Sequence, residues 1–273
     1  MSVPRVCVLR APGTNCDIET AHAFEMCGAK AERLHLFRAV ENPDCLKDYQ
    51  ILCIPGGFSF GDDIGAGVIF SRQLRGQMND ALTEFLSADK LALGICNGFQ
   101  VLLKAGLITG SQNQNSDNPY DTGATLTWNN NHKYTALWVK LKTYSSNSVF
   151  LRNIDEIELP IAHAEGRLVV RNESQLNDWN QQQQIAMCYR SSNGKVPPTD
   201  PTTSEILPYP DNPNGSTANI AGLADATGRV LGLMPHPERF IHATQHPQWT
   251  RKKLRGNGDG LKIFQNAVDY FQQ

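Results

Sequence analysis

Three apolar runs in the first hundred residues each stop at a glycine-containing turn: "RVCVLR" before Pro12-Gly13, "YQILCI" before Pro55-Gly56-Gly57, and "LALGIC" before Asn97-Gly98. Between them, "DIETAHAFEMCGA" and "RQLRGQMNDALTEFLSA" carry apolar residues at helical spacing. Asp17 fits the N-cap of the first helix and Gly28 its stop. "AERLHLF" reads as a further strand, and "NGFQVLLKAGLI" as the helix after the last one. Strand and helix alternating at this interval leave few folds open. They predict βαβ units, hence an α/β fold with an open, mostly parallel sheet and helices on both faces. In such sheets ligands bind beyond the carboxyl ends of the strands, where the turns 12–15, 55–67 and 94–98 all fall.

From about residue 111 the pattern changes. "TLTWNNNHKYTALWVKLKT" alternates more irregularly around an Asn-rich turn, as antiparallel hairpins do, and predicts a β-rich elaboration in the second half. "NQQQQ" and the Pro-rich stretch 191–216 read as exposed loops, "RVLGLMPHPERF" as a buried strand with a polar end, and "GLKIFQNAVDYFQQ" as a terminal amphipathic helix. The expected organisation is one domain over 1–273, with insert-like segments near 111–135 and 180–215. The formal net charge of -2 gives no basic field for nucleic acid or a membrane surface. The longest mostly apolar stretch, Leu91 to Ile108, is interrupted by Asn97, Gln100 and Lys104, and the amino terminus has no signal-peptide core. Seven cysteines without a CxxC pair fit neither a disulfide framework nor a zinc ribbon. A cytoplasmic chain is expected, with no metal and with Cys7, Cys27, Cys45, Cys53 and Cys188 as free, mostly buried thiols.

Cys96 is different because it stands between Gly94 and Gly98 at a strand-to-helix turn. G-x-C-x-G there places the side chain on a sharp elbow, with the free N–H groups and positive dipole end of the next helix behind it. A thiol nucleophile needs a base, and the base an orienting group. Two of the seven histidines begin an H-x-E triplet, His163-Ala164-Glu165 and His236-Pro237-Glu238. In an extended segment, residues i and i+2 point to the same side, so either glutamate fits its histidine. Both pairs follow short apolar runs, and spacing does not choose between them.

Six segments in order, "APGTNCD", "IPGGFSFGDD", "GICNGFQ", "IAHAEGR", "NPNGS" and "MPHPER", resemble the class I (triad) glutamine amidotransferases. Within that family the chain is similar to the glutaminase subunits that serve an ATP-dependent, amidine-forming synthase of purine biosynthesis. The resemblance runs almost end to end. It implies a flavodoxin-like fold and a catalytic triad of Cys96, His236 and Glu238, with an oxyanion hole from the backbone N–H groups of Gly57 and Asn97. It points to Gln100 as a substrate contact and to His163 and Glu165 as lining the same pocket, with Asn214, Gly215 and Ser216 as a loop over it. Glutamine would be hydrolysed through a cysteinyl thioester. The ammonia would pass to a large synthase subunit, usually joined by a small bridging subunit, which would aminate formylglycinamide ribonucleotide. No cofactor is implied on this chain, since "PGGFSFGDDIGAG" lacks the Lys-Ser/Thr of a P-loop. ATP and magnesium are implied on the partner.

Departures from the family pattern are Ala164 in place of the glycine of "HGEGR", Gly65 where shorter subunits often carry arginine, and extra length around 111–135 and 180–215. A triad amidotransferase serving another synthase would not be expected to carry "GGFSFGDD" with "NPNGS". A cysteine hydrolase of the related flavodoxin-like enzymes usually has histidine, not Asn97, after the nucleophile. A non-catalytic docking subunit would not need Cys96, His236 and Glu238 together.

Overall fold

The computed structural model describes residues 3–109, 122–192 and 200–272. Parts of both insert-like segments, 110–121 and 193–199, lie outside the described residues. The strands are β1 (Arg5–Arg10), β2 (Lys30–His35), β3 (Ile51–Ile54), β4 (Leu91–Ile95), β5 (Ala124–Thr127), β6 (Thr135–Thr143), β7 (Glu156–His163), β8 (Arg167–Val170), β9 (Ile185–Tyr189), β10 (Ile220–Ala224) and β11 (Val230–Leu233). The helices are α1 (Asp17–Met26), α2 (Leu36–Glu41), α3 (Val68–Gln77), α4 (Asn79–Ser87), α5 (Asn97–Lys104), α6 (Glu173–Gln181) and α7 (Leu261–Asp269).

Nine strands form one sheet in the order β2-β1-β3-β4-β11-β10-β9-β6-β7, and β5 pairs with β8 apart from it. The first five are mutually parallel. The crossover from β1 to β2 runs one way along the sheet and that from β3 to β4 the other. Right-handed connections therefore put α1 on one face and α3 with α4 on the opposite face. Phe24 of α1 meets Phe264 of α7 edge to face at 4.9 Å, which seats the terminal helix beside α1. The remaining four strands extend the same sheet antiparallel, so the β-rich elaboration belongs to it.

Burial follows this division. Every residue of β3, β4, β9, β10 and β11 is buried, as apolar runs covered on both faces are. β7 instead alternates between buried and more exposed positions, as expected of an antiparallel strand with one face packed.

Several local expectations are corrected. Asp17 is the first residue of α1, and its carboxylate lies 3.1 Å from Arg33 Nη1, so Cys16 takes the cap position without a side-chain cap bond. β2 ends at His35 because its ring accepts the Phe37 amide at 3.3 Å and caps α2. The 72–88 helical stretch is two helices that break at the fully buried Met78. Residues 212–216 of the expected exposed Pro-rich loop are all buried.

The glycines around Cys96 serve close packing. Neither Gly94 nor Gly98 has a positive φ; Cys96 does, at φ 51°, ψ -104°. A Cβ on Gly98 would lie 1.8 Å from the Ile54 carbonyl oxygen, and one on Gly94 would lie 2.6 Å from the Gly98 carbonyl oxygen. Gly98→Ala is therefore expected to destabilise the chain by about 3 kcal/mol or more. Gly76→Ala in α3, where an added methyl meets nothing within 4 Å, should stabilise it by about 0.5 kcal/mol. Urea unfolding of the two variants checks both signs, and a Gly98→Ala protein of wild-type stability would refute the packing role.

Candidate active site

β1, β3, β4 and β11 end at the same edge of the sheet, since they are parallel. From β11 each step to β10, β9, β6 and β7 reverses direction, so β7 points the same way as β4 after four reversals. His163, the last residue of β7, thus arrives at the edge that carries Cys96 and His236.

Cys96 is 5% exposed and its Sγ lies 3.8 Å from the Ala162 carbonyl oxygen. Its own N–H donates to Leu233 O at 2.8 Å, and Gln100 N–H donates to its carbonyl at 3.1 Å. These bonds hold the strained elbow from both sides, against a backbone cost of about 1–3 kcal/mol.

His236 follows β11 and is tied to β7 by its N–H on Pro160 O at 2.8 Å. Its ring Nδ1 lies 2.6 Å from Glu238 Oε1, and both side chains are buried. The contact is made across a 3-10 turn at Pro237–Arg239, not along the extended backbone expected from the H-x-E spacing. A carboxylate accepts, so Nδ1 carries a proton, and Nε2 is buried and turned away from Glu238. Burial alone would lower the basicity of His236, but the Glu238 carboxylate, then the Cys96 and Cys16 thiols, outweigh it and hold the imidazole well above its usual range.

The other H-x-E pair is not a dyad. Glu165 Oε2 accepts the Ala66 N–H at 3.1 Å, while His163 Nδ1 lies 3.1 Å from Asn129 Oδ1. Asn129 spends its amide protons on the carbonyls of Lys133 and His163, so its oxygen accepts and His163 Nε2 is bare, buried and unpartnered. Burial first, then the charge of His236, push His163 down to about 3. It is neutral at physiological pH.

Asn97 organises the floor. Its Nδ2 donates to Gln100 Oε1 at 2.9 Å and to Asp62 Oδ1 at 3.2 Å, and its Oδ1 accepts Ser59 N–H at 3.2 Å. The last bond draws the loop carrying Gly57 to the residue after Cys96. As the first residue of α5, Asn97 has no intrahelical acceptor for its own N–H. Gly57 has φ 149°, and a Cβ there would lie 2.8 Å from Thr14 Cα. Gln100 Nε2 donates to the Glu165 carbonyl at 2.6 Å. Asn214 and Ser216 are fully buried, and their polar atoms bond Gly166, Leu168, Tyr189 and each other. Gly215, at φ 78°, packs on Asn130 and donates to Asn212 Oδ1 at 2.9 Å. These three residues brace the 163–167 turn from behind.

Sequence reasoning missed three residues here. Cys16 Sγ, His236 and Glu238 bring ligand-capable atoms within 4.8 Å of one another, and Arg239 Nη2 lies 3.1 Å from that sulfur. The guanidinium occupies the thiol and Glu238 occupies Nδ1, so the cluster is arranged for proton transfer more than for metal ligation. Asp62 is pushed up to about 6 by burial and the neighbouring Glu165 carboxylate. The signal available for Cys16 was its place just beyond the carboxyl end of β1.

A sequence profile for the CobB/CobQ-like glutamine amidotransferase domain matches residues 3–271. The chain belongs to that family. The amidotransferase is 40% identical over 274 residues to the phosphoribosylformylglycinamidine synthase subunit PurQ of Dehalococcoides mccartyi, covering 100% of both chains. It is 36% identical to the subunit of the same name from Archaeoglobus fulgidus, over 98% of this chain and 97% of that one. A chain of the PurLQS structure from Thermotoga maritima superposes with a TM-score of 0.70 at 30% identity, covering 99% of this chain and 100% of that one. A glutamine amidotransferase from Thermotoga maritima, 16% identical with a TM-score of 0.52 over 99% of this chain and 98% of that one, shares the fold. No helix among the described residues is long and apolar enough to cross a membrane.

The two imidazoles set opposite pH dependences. An unfolded His163 takes its proton near 6.5 and the native one only near 3, so between those values the unfolded state binds more protons and stability falls as the pH drops. Urea unfolding should show a loss from pH 7 to pH 5 that a His163→Gln variant reduces. An equal loss in both proteins would show that His163 is not the group responsible.

Proposed function

We propose that the chain is the glutaminase subunit of a phosphoribosylformylglycinamidine synthase in purine biosynthesis. The observation that carries the chemistry is one strained cysteine brought to the same edge as a buried His–Glu pair. The identity of the synthase is supported by full-length relatives at 36–40% identity and by the PurLQS likeness. We read residues 1–273 as a single amidotransferase domain, a reading supported by a family match from 3 to 271.

Cys96 attacks the side-chain amide carbon of glutamine while His236 holds the proton drawn from the thiol. The raised basicity of His236 suits this step, because the proton leaves the sulfur before or as the C–S bond forms. The N–H groups of Gly57 and Asn97 receive the developing oxyanion, each contributing about 3 kcal/mol to barrier lowering. His236 then gives its proton to the departing nitrogen, and Glu238 keeps the ring in the tautomer that can do so. Water attacks the glutamyl thioester with His236 as base, releasing glutamate and restoring the thiol.

Gln100, His163 and Glu165 line the substrate side. The bare Nε2 of His163 offers a neutral acceptor to a donor on the bound amino acid. Asn214, Gly215 and Ser216 serve the pocket by bracing the turn that carries His163. Ammonia passes to a large synthase subunit, where ATP and magnesium bind and formylglycinamide ribonucleotide becomes the amidine. A small bridging subunit joins the two, and the assembly works in the cytoplasm.

Glutamate release by wild type and Cys96→Ala, each alone and with the synthase subunit, ATP and formylglycinamide ribonucleotide, tests this. Wild type should form glutamate and amidine, and Cys96→Ala should form amidine only with added ammonium. Glu238→Gln should lower kcat about a thousand-fold or more. No glutamate from wild type in the complete mixture would overturn the reading.

A further inference from the structure

Glu238 is 0% exposed; its Oε1 receives His236 Nδ1, while its Oε2 is buried with no hydrogen-bond partner. A buried carboxylate in this state is costly unless a cation lies close. Arg239 Nε lies 4.0 Å from Oε1. The arginine side chain is 37% exposed, so nothing about its burial prevents it from swinging into water. What anchors it is Cys16, whose Sγ lies 3.1 Å from Nη2.

The same sulfur lies 3.2 Å from Asn15 Oδ1. Both contacts are satisfied by a neutral thiol: S–H donates to the Asn15 oxygen, and a sulfur lone pair accepts from the guanidinium. Burial pushes the Cys16 thiol up, which agrees with that assignment. Gly56 makes room for the arrangement, because a Cβ there would lie 2.8 Å from His236 Cε1 and 3.2 Å from Cys16 Sγ.

We propose that Arg239, anchored on the Cys16 thiol, is a positioning residue that holds the buried Glu238–His236 pair in its charged, hydrogen-bonded arrangement. Cys16 acts through Arg239 and forms no bond with substrate. Two thiols adjoin one imidazole; Cys16 also meets the guanidinium and the Asn15 amide oxygen, whereas Cys96 stands on the strained elbow. The proposal rests on the triad reading of Cys96. The groups facing His236 are Cys16 from the turn after β1, Cys96 from the elbow, His163 from β7, and Glu238 on its own segment; Arg239 faces Cys16, Glu238 and Cys96, and Cys53 of β3 faces Glu238.

Removing the cation takes positive charge away from the buried Glu238–His236 pair and from Cys96, so Cys96 becomes less reactive. The test follows iodoacetamide alkylation of Cys96 by peptide mass spectrometry from pH 5 to 9, with glutaminase kcat and KM, in the isolated chain and in its complex with the synthase subunit. Arg239→Gln should slow Cys96 alkylation at pH 7 by about tenfold and lower kcat with little change in KM. Arg239→Lys should retain most of the rate. Cys16→Ala should fall between the two, and Cys16→Ser, which keeps a donor and an acceptor, should stay near wild type.

A folded Arg239→Gln protein with the wild-type alkylation profile overturns the proposal, even if its activity falls. If Arg239→Gln does not fold, Cys16→Ala decides, and a wild-type profile there has the same meaning. Wild type that remains fully active after Cys96 is alkylated would instead remove the triad reading itself. Loss of activity on alkylation with a profile unmoved by Arg239→Gln would remove only the role of Arg239.

Discussion

The close seating of α5 on the sheet is the contact on which the geometry around Cys96 depends. Gly98 lets the helix backbone approach the Ile54 carbonyl so closely that no side chain fits between them. Gly94 and Gly232 are register partners on adjacent strands, and Cβ atoms there would strike Leu102 and Phe99 of the same helix. Phe99, Val101, Leu102 and Leu103 of α5 are each no more than 1% exposed. Burying side chains of this size contributes roughly 1.5–3 kcal/mol each, well above the cost of one residue held at positive φ. The elbow is strained because the helix behind it is fixed, and Cys96 is the residue that absorbs the mismatch.

Sheet topology then determines what Cys96 meets. The parallel half supplies the turns after β1, β3, β4 and β11, which bring Cys16, Gly57, Cys96 and His236 to one edge. The antiparallel half makes its contribution through an even number of reversals, which returns His163 to that edge. Its edge strand pair, β6 and β7, is in register over eight residue pairs, from Thr135–His163 to Lys142–Glu156. His163 is therefore placed by a long ladder and not by a loop, and Asn129 fixes its ring.

Much of this arrangement was legible in the chain before folding. The parallel half could be read because buried strands between glycine turns have one periodicity and helices another, and the elbow because G-x-C-x-G joins them. The choice between the two H-x-E pairs was not legible from spacing. Glu238 reaches His236 through a tight turn, and Glu165 fails to reach His163 because the Ala66 amide claims it. That choice is made by tertiary partners 99 residues away in sequence. Cys16 and Arg239 escaped notice for the same reason, as their contact spans 223 residues. The segment at 212–216 carries ordinary turn residues, and only its burial beneath the 163–167 turn separates it from an exposed loop.

The two histidines show how the site divides its chemistry. Both are buried, and desolvation lowers the basicity of each. What separates them is the group on Nδ1: an uncharged amide oxygen for His163 and a carboxylate for His236. An amide fixes a tautomer without stabilising a positive charge, so His163 stays neutral and yields to the field of its neighbour. A carboxylate fixes the same tautomer and adds an opposite charge, so His236 can hold a proton in a site where burial alone would forbid it. One ring is thereby kept as an acceptor and the other as a proton carrier. On the role proposed for Arg239, the guanidinium beside the buried Glu238 belongs to that division and not to the surface.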